Sequence, residues 1–272
     1  MLIIKQKNKR LVSFFPTISS LKRLSIPLPE ITKMSYIINI ESSTEVCSVS
    51  ISEKGKTIDF KENTNGRNHA RLMAVYIQAL MANNHINYKQ LDAIAVSKGP
   101  GSYTGLRIGV SIAKGLCYAQ GIPLIAISPL QAMSDYVSLN KSKFNLPDNE
   151  KLLFAPMIDA RRMEVYTASY DINNKEIKPV CAKVLDENSF KEELEIHPVA
   201  FFGNGSEKAK KVITHSNAFF VPDIICSSIF MNNLSYKSFI AENFADVAYF
   251  EPFYLKDFIA GISKKNILRP QA

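Results

Sequence analysis

Twice along this chain, three β-like segments come in a group before a helix does. Tyr36–Glu41 and Val46–Ser52 alternate or run apolar with β-branched residues, and Lys56–Glu62 follows a Lys54-Gly55 turn. That is the pattern of a strand, a second strand and a hairpin partner. Asn68–Met81 then shows helical spacing, with Ala70, Met73, Ala74, Ile77, Leu80 and Met81 on one face. A strand at Ala93–Ser97, a Gly-rich turn, a helix near Thr104–Ala119, a strand at Pro123–Ile127 and a helix capped by Ser128 complete the first set. Residues 138–150 are polar and loop-like. Beyond them Leu152–Asp159, Glu164–Asp171 and Val180–Leu185 read as strands and Ser189–Leu194 as a short helix. Val199–Gly203 reads as a further strand and Ser228–Phe244 as largely helical. Three strands followed by alternating helix and strand give an α/β fold with a mixed sheet. The recurrence points to two such lobes, 34–140 and 150–272.

With 272 residues, 46% hydrophobic and 21% charged, the composition excludes a chain that is disordered, collagen-like or coiled-coil throughout. No apolar run approaches the roughly eighteen residues of a spanning helix, so no membrane partner is expected. The net charge of +8 is concentrated at one end. Lys5, Lys7, Lys9, Arg10, Lys22, Arg23 and Lys33 are seven of the 33 basic residues and face only Glu30, leaving 26 basic and 24 acidic residues elsewhere. Such a body gives no sign of a phosphate-binding face. Residues 1–33, basic and broken by Pro16, Pro27 and Pro29, read as a disordered extension or a mis-assigned start ahead of Met34. A transit peptide and a basic RNA-binding arm are the rivals. Cys47, Cys117, Cys181 and Cys226 form no CxxC pair. They read as buried free thiols of a reducing compartment, by default the cytoplasm.

The strongest local signal is Val96-Ser-Lys-Gly-Pro-Gly-Ser-Tyr-Thr-Gly-Leu-Arg-Ile-Gly-Val110. A strand ends in a turn containing Gly99, Pro100 and Gly101, and a helix opens with Ser102 or Thr104 at its cap. This reads equally as a plain strand-to-helix turn or as backbone amides cradling an anion. Neither the dinucleotide fingerprint nor a Walker loop is present. In the helix that follows, Gly105, Gly109 and Ala113 recur at four-residue spacing, a small-residue ridge suited to close approach of another helix. Ile108, Ile112, Leu116 and Ala119 form a second apolar stripe, and the preceding helix has its own in Leu72, Tyr76 and Ala79. A helix apolar on two sides is covered on two sides, by the lobe's own sheet and by a partner or the other lobe.

Catalytic candidates are few. His69 is followed at i+4 by Met73, so the two-histidine face that holds a metal is missing and no metal is expected. His85, His197 and His215 lack ligand spacing. Glu41 ends the first strand, where a carboxylate serves either a metal–nucleotide or the turn Ser42-Ser43-Thr44; Asp159 ends the corresponding strand of the second half. No Ser/His/Asp or Cys/His set stands out.

Several blocks together resemble the TsaB family, the dimerisation subunits of the tRNA threonylcarbamoyladenosine machinery. They are Asn39–Ile51, His69-Ala-Arg-Leu-Met73, Gly99–Val110 with Ala113-Lys-Gly-Leu116, Asp159-Ala-Arg-Arg-Met-Glu-Val-Tyr166 and Pro252-Phe-Tyr-Leu255. The resemblance implies an actin-like ATPase (ASKHA) fold of two RNase H-like lobes. It also implies a noncatalytic subunit that binds a TsaD-like catalytic subunit, alongside a TsaE-like ATPase. Tyrosine, histidine and apolar positions on the two N-lobe helices become the implied interface: His69, Leu72, Met73, Tyr76, Gly105, Ile108, Gly109, Ile112, Ala113 and Leu116. Gly99, Gly101, Ser102, Thr104 and Glu41 form the candidate anion- or nucleotide-contacting loop, with no cofactor of the chain's own and ATP or ADP at the subunit junction left open. Two departures stand out: the extension 1–33, and Met163 where the family commonly has Gly, which demands an ordinary backbone there.

Three readings follow. In the first, the chain is a scaffold, with tRNA met through the complex and homodimerisation left open. In the second it is an enzyme, either a nucleotide-hydrolysing ASKHA protein or an M22-type glycopeptidase. In the third it binds RNA by itself, with steep salt dependence.

Overall fold

Ser48, Ser50 and Ser52 alternate with Cys47, Val49 and Ile51, which by pattern alone is a strand with one wet face. Both faces are buried, and the reason lies in how two sheets share their helices. The computed structural model describes residues 35–256 apart from 65 and 67; the reading of residues 1–33 falls outside them. The first lobe runs β1 (Tyr36–Glu41), β2 (Cys47–Glu53), β3 (Lys56–Asn63), α1 (His69–Asn83), β4 (Leu91–Ser97), α2 (Tyr103–Gln120), β5 (Leu124–Ile127) and α3 (Pro129–Leu139). The second runs β6 (Leu153–Asp159), β7 (Glu164–Tyr170), β8 (Glu176–Val184), α4 (Lys191–Ile196), β9 (Val199–Phe202), α5 (Ser206–Lys210), β10 (Ala218–Phe220) and α6 (Asn232–Ile240).

The sheets have the orders β3-β2-β1-β4-β5 and β10-β9-β6-β7-β8. In each, the first three strands are antiparallel and the last two join parallel to the first. Read from opposite ends, these are one topology used twice, as the recurring strand order predicts. β8 begins earlier than expected and carries Pro179; at the sheet edge its missing N–H costs no ladder bond. The short α5 and β10 were not expected. The 228–244 segment is helical only to Ile240, opening with a 3-10 turn at Ser228–Met231.

The boundary at 140–150 divides the sheets but not the helices. α3 packs on β6 and β7 of the second sheet, whereas the 228–231 turn and α6 return to β1, β3 and β5 of the first. A single apolar cluster therefore runs from Ile37, Ala95 and Ile125 through Leu130 and Met133 to Phe154, Phe202 and Met231. The returning segment also covers the serine face of β2. Ser48 Oγ lies 2.8 Å from Ser228 Oγ, Ser50 Oγ donates to Asn232 Oδ1 at 2.8 Å, and Asn232 Nδ2 donates to Thr57 Oγ1 at 2.7 Å. Buried polar groups must be paired, and here they pair across the two halves. No helix among the described residues is long and apolar enough to cross a membrane.

Candidate functional site

α2 is capped at its start by Ser102, whose Oγ accepts from Gly105 N at 3.3 Å, and stops at Gly121 in the left-handed region (φ 65°). α1 carries its core face on His69, Met73, Ile77, Leu80 and Met81. Ala70 and Ala74, expected on that face, are exposed; they lie on its flank, where methyl groups add little to a core made by larger side chains.

The small-residue ridge of α2 points inward. A Cβ on Gly105 would lie 2.2 Å from Ser42 O, and one on Gly109 2.3 Å from Ser42 Oγ. Ala113 is fully buried. The ridge therefore lets α2 approach the end of β1 and the turn after it. This corrects the expectation that Gly105, Gly109 and Ala113 meet a partner helix. His69 and Met73 are likewise covered by this chain: His69 is 5% exposed with Nε2 3.1 Å from Val46 O, and Met73 is fully buried. The other half of the expected interface has a different placement. Leu72, Tyr76, Ile108, Ile112 and Leu116 pack on the core beneath α1 and α2 yet remain half-buried.

Ala119 of the expected stripe and further outward residues that spacing missed complete that face. Val75 is 55% and Tyr118 88% exposed. Ser111, Gly115 and Ala119 form a second small-residue line at the same four-residue spacing, all exposed, and a Cβ on Gly115 would meet nothing within 4 Å. The i, i+4 signal was available for both lines; periodicity does not say which one the sheet takes.

The turn at Gly99–Gly101 is closed by the protein itself. Gly99 has φ +97°, and a Cβ there would lie 2.5 Å from Phe253 O; one on Gly101 would lie 2.1 Å from Ser43 O. Ser102 N donates to Ser43 O at 2.6 Å, and Ser43 N donates to Glu41 Oε1 at 2.6 Å. The Ser102 and Ser43 amides are thus engaged within the chain. Glu41 is 1% exposed, and burial raises its carboxyl above the usual range against the opposing effect of bonds from Ser43, Ser97 and Ser42. Ser102 and Thr104 sit at the surface. In this arrangement Gly99, Gly101, Ser102, Thr104 and Glu41 lie around one corner, where Gly99 and Gly101 are packed against the Phe253 and Ser43 carbonyls.

Among the described residues no group of three or more His, Cys, Asp and Glu side chains is placed to hold a metal ion. On the second lobe, the β6–β7 turn places Arg161 and Arg162 at φ 72° and 46°, so Met163 keeps an ordinary backbone as expected. Cys181 is exposed, unlike Cys47, Cys117 and Cys226, which corrects the reading of all four thiols as buried. Its place on the edge strand β8 explains this.

A model of the family described as TsaD: tRNA N6-adenosine threonylcarbamoyltransferase matches residues 61–264. The tRNA threonylcarbamoyladenosine biosynthesis protein TsaB of Haemophilus influenzae is 36% identical over 130 residues, 48% of this chain and 51% of that protein. The protein of the same description from Escherichia coli is 32% identical over 134 residues, 49% of this chain and 54% of its own length. The chain spans about half the length of the curated relatives it matches. The structure described as YeaZ from Pseudomonas aeruginosa superposes with a TM-score of 0.68 at 22% identity, covering 82% of this chain and 100% of that one. The likeness shows the fold: two lobes, each a five-stranded mixed sheet flanked by helices.

Proposed function

We propose, from the premise that this chain belongs to the TsaD tRNA N6-adenosine threonylcarbamoyltransferase family as a TsaB-like member, that it is a noncatalytic scaffold in tRNA threonylcarbamoyladenosine biosynthesis. Its partner is a TsaD-like catalytic subunit, and it meets tRNA through that complex. The observation that carries the reading is the outward face of α1 and α2, where Leu72, Tyr76, Ile108, Ile112 and Leu116 are only half covered beside exposed Val75 and Tyr118. Apolar surface of this kind gains stability when water is removed from it, and exposed Ser111, Gly115 and Ala119 allow another helix to come close. A noncatalytic role is supported by His69 being bound to Val46 O and by Met73 in the core, where a second ligand would otherwise stand. The chain is read as having no cofactor of its own; the Glu41–Ser43 hydrogen bond, which engages this turn from within, supports the subunit junction as the place for an ATP or ADP of the complex. A TsaE-like ATPase completes the assembly.

The test is co-purification with the TsaD-like subunit. Ile112→Glu combined with Leu116→Glu places two charges on the outward face and is expected to lower affinity more than about a hundredfold, because unpaired buried charge is costly. Retained wild-type affinity by a folded double variant would overturn the assignment. Stoichiometric metal or ATP turnover in the purified chain, lost in Glu41→Ala, would favour the enzymatic reading instead.

A further inference from the structure

After α6 the chain forms no further helix or strand among the described residues, yet it does not leave the fold. Ala245 N donates to Leu124 O at 2.8 Å at the edge of the first sheet, and Ala245, Val247 and Phe250 lie on the core beneath α1 and α2. Lys114, on α2, donates to Ala248 O at 2.9 Å and to Phe250 O at 3.2 Å. Phe253 N donates to Lys98 O at 2.7 Å, while Gly99 leaves the space that the Phe253 carbonyl occupies. Tyr254 then packs on Tyr103 with ring centroids 4.8 Å apart, and its hydroxyl accepts from Arg107 Nε at 3.2 Å. Lys256 finally pairs with Glu164, at the start of β7 in the second sheet.

These contacts share a character. Apart from one β-bridge, the Phe253 amide, the Lys256–Glu164 pair and the partly buried Ala245, Val247 and Phe250, the segment is held by side chains of α2 reaching its backbone carbonyls or its last tyrosine. Between it and α2 lies an open depression of about 280 Å³, lined by Arg107, Val110, Ser111, Lys114, Glu251 and Tyr254 among others. Tyr249 and Phe253 remain 85% and 44% exposed. Segments with few buried apolar contacts and solvent-facing hydrogen bonds open at a free energy below that of global unfolding.

We propose that residues 245–256 are a latch: a strap fastened along α2 and carried across to the second sheet, which opens as a unit while the two sheets stay folded. Closed, it holds Lys114 and Arg107 and ties α2 between Tyr103 and Lys114 to the first sheet. Open, it frees the line Arg107, Ser111 and Lys114 on α2 and uncovers the Gly99 turn. The latch is a property of the chain alone and stands whether or not the outward helix face binds a catalytic subunit.

Hydrogen exchange of the full chain under native conditions tests it. The amides of Ala245, Phe250 and Phe253 are expected to exchange at least about tenfold faster than those of β1 and β4. Lys114→Met should speed the strap amides about tenfold further without changing the core strands, and Lys114→Arg should restore them. Tyr254→Ala, at the far end, is the second variant and should do the same from the other side. Strap amides that exchange only at the rate of β1 and β4, or that ignore both variants, would overturn the latch.

Discussion

The hydroxyl of Ser42 lies against Gly109, its Oγ 2.3 Å from where a glycine-to-alanine change would put a Cβ. That oxygen is buried and has no hydrogen-bond partner among the described residues. Gly109→Ala is expected to cost about 1–3 kcal/mol by overpacking. Ser42→Ala should recover part of that loss, since it removes the colliding oxygen. A double-mutant cycle in urea checks this, and additive effects would speak against the contact.

Gly115 makes the contrasting case on the same helix. With nothing near its missing Cβ, Gly115→Leu should leave thermal unfolding close to wild type, while lowering affinity for a TsaD-like subunit by blocking helix approach. A large loss of stability would show that the outward face is already occupied by this chain.

Glu41 sets a pH dependence whose sign follows from its burial. A carboxyl raised in the folded state contributes stability that is fully present below its unfolded pKa and is lost as pH rises through its folded pKa. The stability of wild type relative to Glu41→Gln should therefore fall from the usual carboxylate range upward, since glutamine stays neutral throughout. Urea midpoints of both proteins across that range measure the difference; a wild type that gains stability relative to Glu41→Gln as pH rises would contradict a carboxyl raised by burial.

The thiols separate by burial. Burial pushes Cys47 and Cys117 up to about 11 and raises Cys226 well above the ordinary thiol, while Cys181 is exposed. Thiolate, not thiol, reacts with disulfide reagents, so the native protein should label at Cys181 alone and the denatured protein at all four. Mass spectrometry after labelling near neutral pH counts the sites.

Asn232 joins the halves through Ser50 and Thr57 and is 2% exposed. Asn232→Leu strands the buried Ser50 hydroxyl and removes the bond to the exposed Thr57 hydroxyl, and should cost about 1–3 kcal/mol in equilibrium unfolding. A change within about 0.5 kcal/mol would mean that the seam is wet rather than sealed.

Local chemistry wrote much of this fold into the chain. Ser128 caps its helix as its position indicated, and of the two candidates Ser102 and Thr104 it is Ser102 that caps α2, because a hydroxyl one residue ahead of an apolar-periodic run satisfies an orphan amide wherever the helix ends up. The strand order of both halves was legible for the same reason: side-chain alternation and turn residues act within a few positions. Tertiary structure decided what those signals leave degenerate. α2 carries two lines of small residues at one spacing, and only the Ser42 turn selects Gly105 and Gly109 for the inside. The serines of β2 alternate like a solvent face, and only the returning Ser228–Asn232 segment makes that face an interior one. Both outcomes depend on partners more than a hundred residues distant or on a neighbouring strand's exact position, and periodicity within one element holds no information about either.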